Sequence, residues 1–115
     1  MLKLIEHYWV ALTLVCFALI SIASLSPLPA LPEIPGTDKT HHLVAYAALI
    51  FPAALRRPPG WLYLGLLFAV WSGLIELVQP HVNRYGEWLD FIANCSGLIL
   101  GVVLARMIDL IAKDR

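Results

Sequence analysis

Residues 8–26 run for 19 positions without a formal charge, and residues 61–79 run for another 19 with only Glu76 charged. A helix needs about 20 apolar residues to cross the roughly 30 Å hydrocarbon core of a bilayer. Two such blocks in 115 residues leave little room for a soluble core. Residues 39–55 and 88–111 form weaker apolar blocks, one holding Pro52 and the other interrupted by Asp90, Asn94 and Arg106. The pattern predicts an all-α membrane protein: a compact single-domain bundle of four transmembrane helices over about 8–26, 39–55, 61–79 and 88–111. Pro52 is expected to kink or thin the inner end of the second helix. Hydrophobic residues make up 60 % of the chain and charged ones 14 %, outside the range of ordinary soluble domains. A net charge of zero with no basic stripe excludes an electrostatic nucleic-acid binder.

The competing explanation for residues 8–26 is a secretory signal peptide, with Lys3 before the block and Ser21, Ala23 and Ser24 imitating a cleavage site. The run is longer than a usual signal core, which favours a span. Cys16 and Cys95 both fall inside apolar blocks with no CxxC spacing, so they read as small hydrophobes.

Pro27, Pro29, Pro32 and Pro35 disfavour helix and predict an extended external loop, after which Thr37 or Asp38 can cap the second helix. Arg56, Arg57, Pro58, Pro59 and Gly60 predict a tight basic turn. Alternating connections put the two termini and this turn on one side, with six basic residues (Lys3, Arg56, Arg57, Arg106, Lys113, Arg115). The other side has two, Lys39 and Arg84, against the acidic Glu33, Asp38, Glu76, Glu87 and Asp90. Because orientation follows the Lys/Arg excess, both termini are expected in the cytoplasm. Tyr8 with Trp9, Trp61 with Tyr63, and Tyr85 with Trp88 fall at helix starts, where aromatic rings settle at the headgroups.

Polar residues converge on the outer side. Asp38, His42 and Tyr46, spaced i, i+4, i+8, share one helical stripe, flanked by Lys39. Glu76 and Gln79 are i, i+3 neighbours at the end of the third helix, and Asp90 and Asn94 an i, i+4 pair at the start of the fourth. Arg84 lies between them in sequence. An ionisable residue inside a membrane costs about 2.5–3.5 kcal/mol on insertion scales, so such a cluster points to a site. His42, Glu76 and Asp90 are candidate acid/base groups. Asp38, Lys39, Tyr46, Gln79, Arg84 and Asn94 are candidate ligand-binding groups, Lys39 and Arg84 being suited to clamp phosphate. No HxxxH or HExxH spacing joins His41, His42, His81, Glu76 and Asp90, so neither a metal nor another cofactor is expected. The structural alternative is an ion-pair network, Glu76 with Arg84 or Lys39 and Asp90 with His42, that only orders the helices.

Ala93, Gly97, Gly101 and Ala105 recur every four residues and form a small-residue seam that lets another helix approach closely, and Gly73 is a further candidate packing position.

In order and spacing these residues resemble the VanZ-like family, small bacterial membrane proteins named for an accessory teicoplanin-resistance protein. The family's Asp-Lys, two residues, His and a later Tyr match Asp38, Lys39, His42 and Tyr46. Its Glu, two residues, Gln, then Arg, Asp, Asn and spaced glycines match Glu76, Gln79, Arg84, Asp90, Asn94, Gly97 and Gly101. The resemblance covers about residues 38–101, more than half the chain. Leu43 stands where the family has an aromatic, and residues 85–89 replace its small residues between Arg and Asp, so ligand preference is expected to differ. The resemblance implies a multi-pass protein of the bacterial cytoplasmic membrane but no particular reaction.

Two functions fit. One is a binding or enzymatic site at the outer leaflet for an anionic, lipid-linked envelope intermediate, with an effect on teicoplanin susceptibility. The other is a non-catalytic membrane scaffold. Four short helices leave little room for alternating access by a transporter, an objection that a homodimer would relax.

Overall fold

A computed structural model of the protein describes residues 2–25, 37–78 and 88–112; the side chains of residues 37–39 lie outside that description. The proline-rich residues 26–36, expected to form an external loop, and residues 79–87 are also outside it. Among the described residues the chain is all-helical: α1 (Leu2–His7), α2 (Trp9–Leu25), α3 (Thr37–Arg56), α4 (Trp61–Val78) and α5 (Trp88–Ile111).

The Tyr8 amide donates to the Leu4 carbonyl at 3.1 Å and the Leu12 amide to the Tyr8 carbonyl at 2.9 Å. The i→i−4 ladder therefore crosses the α1–α2 junction, and the two pieces make one rod. Hydropathy alone misses α1, because Lys3, Glu6 and His7 break its apolar run. Leu2 and Ile5 nevertheless pack on Ala54, Leu55 and Ala105. Helix α3 begins at Thr37, expected as a cap, and continues without a break through the buried Pro52, whose ring removes the amide that would have bonded to Ala48. It ends at Arg56. Arg57 follows in the left-handed region at φ 53°, with its amide donating to the Ala53 carbonyl at 2.7 Å, and Pro58 prevents further helix.

Helix α3 is the axis of the bundle and touches all four others, whereas among the described residues the backbones of α2 and α5 do not approach closely. Its alanines make that possible. Ala53 and Ala54 are buried with Tyr46, Leu49, Ile50 and Leu55, so one helix is enclosed by several neighbours. On one side, Phe17 of α2 packs against Phe68 and Trp71 of α4 at ring separations of 5.7 and 5.5 Å, and the Trp71 indole donates to the Ser21 hydroxyl at 2.9 Å.

On the other side runs the glycine seam. A Cβ at Gly97 would strike the Leu43 carbonyl oxygen, and one at Gly101 would stand 2.5 Å from the Ala47 carbonyl oxygen. The hydrogens that replace those carbons point at α3 carbonyls, an arrangement suited to Cα–H···O contacts. Leu43 with Gly97 and Ala47 with Gly101 define a register in which α3 and α5 run parallel. Ala105 continues the seam with no exposure, and Ala93 opens it half-buried. Gly73 serves a different contact, since a Cβ there would lie 3.3 Å from the Phe91 ring of α5.

Two of these helices, α4 and α5, are long and apolar enough to cross a membrane; α2 is apolar but 17 residues long. The first two turns of α3 carry Asp38, Lys39, His41 and His42, which lowers its hydropathy.

Candidate functional site

The register of the helices fixes where the polar residues meet. Gly73 lies beside Phe91, so α4 and α5 are antiparallel neighbours with Glu76 and Asp90 toward the same end of the bundle. Asn94 is one turn along α5 from Asp90, and parallel packing brings the first half of α3 to the same level. There the His42 ring donates through Nδ1 to the Asn94 side-chain oxygen at 2.9 Å. His42 thus meets a neutral amide one turn from Asp90, the partner expected in an ion-pair network. In a neutral imidazole that bond leaves the lone pair on Nε2, the atom able to take a proton.

One turn deeper, Tyr46 is 1 % exposed, and its hydroxyl has no hydrogen-bond partner among the described residues. Glu76 is close enough to act electrostatically on that hydroxyl. Glu76, Asp90 and Asn94 are 7, 4 and 1 % exposed, so burial of polar groups is concentrated at this end. Of the nine proposed site residues, five are brought together: His42, Tyr46, Glu76, Asp90 and Asn94. Asp38 and Lys39 are in the first turn of α3, with side chains outside the description, and Gln79 and Arg84 lie outside the described residues. His41 is exposed beside the motif histidine.

Ser72 was not singled out by the sequence. It is completely buried one turn from Glu76 and donates to the Ala69 carbonyl at 2.8 Å. The i, i+4 spacing of Ser72 and Glu76 in an otherwise apolar helix was the available signal. Thr13 on α2 is likewise buried, its hydroxyl without a hydrogen-bond partner among the described residues.

At the opposite end, the Arg57 guanidinium donates to Asp109 at 3.0 Å, joining the turn after α3 to the end of α5. The described residues contain no group of three His, Cys, Asp or Glu side chains able to hold a metal ion.

No protein-family model, curated protein or solved structure matches this chain.

Proposed function

We propose that this chain is a multi-pass protein of the bacterial cytoplasmic membrane, its four helical rods crossing the bilayer with both termini in the cytoplasm. The polar layer at its extracytoplasmic end binds an anionic, lipid-linked envelope intermediate. One observation carries the membrane assignment: polarity is inverted relative to a water-soluble bundle. Ser72, Glu76, Asp90 and Asn94 face inward, while Leu14, Leu19, Ile22, Leu62, Leu66, Leu77 and Ile99 are each more than 60 % exposed. Apolar surface left in water costs about 25 cal/mol per Å², a penalty absent in hydrocarbon. Exposed Tyr8 and Tyr63 near one end and Trp88 near the other suit two headgroup layers. The six-to-two distribution of basic residues supports the orientation.

The binding role is supported by the buried acids and by the Tyr46 hydroxyl, which has no hydrogen-bond partner among the described residues, drawn from three helices into one layer. Ionisable groups at such depth are uncommon without a functional use, and the resemblance to the VanZ-like family points to the cell envelope. In this reading Lys39 and Arg84 meet phosphate, and His42, Glu76 and Asp90 exchange protons or fix the headgroup. Glu76→Gln and Arg84→Ala are expected to shift envelope-precursor pools or teicoplanin tolerance while the unfolding midpoint in detergent stays near that of the parent. Unchanged pools and tolerance in folded variants would remove the binding role.

A scaffold function has its own observation, the His42–Asn94 bond between α3 and α5 immediately above the seam. It expects the same substitutions to lower stability, with function falling only in proportion.

A further inference from the structure

An apolar groove of about 320 Å³ opens between α4 and α5, running from Cys95, next to Asn94 of the polar layer, toward Val103 and Trp61. Ile50 of α3 is among its walls, with Trp61, Gly65 and Ala69 contributed by α4 and Ile99 and Val103 by α5. The helices meet where Gly73 touches Phe91 and leave this opening toward the Arg57–Asp109 end. Ile99, Val103 and Arg106 are spaced i, i+4, i+7, so Arg106 continues the groove's own stripe toward the cytoplasmic end. Arg106 is exposed and forms no ion pair among the described residues, whereas nearby Asp109 is held by Arg57.

We infer that this groove holds one acyl chain of an anionic phospholipid of the cytoplasmic leaflet, with the lipid phosphate at Arg106. The inference rests on the membrane reading above. Charge complementarity selects the occupant: an apolar channel whose α5 stripe continues to a guanidinium with no ion pair among the described residues matches a hydrocarbon tail ending in phosphate. A volume near the lower end of ligand-site sizes suits one chain better than a whole lipid. Arg106 can extend along the helix to reach the headgroup layer while its methylenes stay in hydrocarbon.

Trp61 lines the groove and reports on it. The full chain is reconstituted in symmetric phosphatidylcholine vesicles containing a small fraction of chain-brominated phosphatidylglycerol or chain-brominated phosphatidylcholine. The Trp61 contribution is the signal lost in Trp61→Phe. Brominated phosphatidylglycerol is expected to quench this contribution at least threefold more strongly per mole, and Arg106→Gln to abolish the difference. Ala69→Phe, which fills the groove, should weaken quenching by both. Equal quenching by the two lipids in the parent protein overturns the proposal without needing a variant. Retention of the preference in Arg106→Gln overturns the phosphate contact. Protein that floats with vesicles but shows no Trp61 quenching by either lipid has its groove covered by a second copy, which also overturns it. Failure to float with vesicles overturns the membrane reading itself.

Discussion

The two ends of the α3–α5 pair are tied by opposite means. At one end a part-buried hydrogen bond joins His42 to Asn94; at the other an ion pair joins Arg57 to Asp109, with side chains 42 and 21 % exposed. Between them the backbones touch through Gly97 and Gly101. An exposed ion pair contributes little, typically 0–1 kcal/mol, because water competes for both charges. At the other end Tyr46, Glu76, Asp90 and Asn94 are buried, and a polar group taken out of water is costly unless it is hydrogen-bonded. The contrast assigns adhesion to the middle of the pair and alignment to the Arg57 end, and it leaves the buried polar groups at the His42 end for the proposed ligand contact.

The sharpest attack on that division is at the seam. Gly97→Ala or Gly101→Ala places a methyl against an α3 carbonyl and is expected to destabilise the bundle by about 3 kcal/mol, read by denaturant unfolding in mixed micelles. A loss below about 0.5 kcal/mol would mean that the helices are farther apart. At the polar end, a double-mutant cycle on His42→Ala and Asn94→Ala is expected to give a coupling of about 1 kcal/mol, within the range for interhelical bonds in membranes. Zero coupling would detach the two side chains from one another. Gly73→Ala meets only the edge of the Phe91 ring, which can shift, and is expected to cost about 1 kcal/mol by the same measurement. Arg57→Ala should cost less than about 1 kcal/mol, with the difference from the parent shrinking at high salt. A larger, salt-independent loss would make that end as important as the seam.

The sequence made the helical rods legible because long uncharged runs mark them directly, and α5 was anticipated to the residue at Trp88–Ile111. It hid α1, whose charged residues conceal the Leu2 and Ile5 contacts with the inner core. The spacing of the seam indicated close helix approach. It did not name the partner, because the Leu43 and Ala47 carbonyls that receive the glycines belong to the backbone and leave no mark in the sequence. His42, Tyr46, Glu76, Asp90 and Asn94 were legible as polar interruptions of apolar helices. That His42 meets Asn94 instead of Asp90 depends on the relative register of α3 and α5, which side-chain spacing within each helix leaves undetermined.

Sidedness tests the central claim most directly. In a Cys16→Ser, Cys95→Ser background, single cysteines at His41, beside the polar layer, and at Ala112, beyond the Arg57–Asp109 end, are exposed to a membrane-impermeant maleimide in intact spheroplasts. The cysteine at position 41 should label at once, and the one at position 112 only after permeabilisation. The reverse pattern, or equal labelling of both without permeabilisation, would contradict a bundle that crosses the membrane with its polar layer outside.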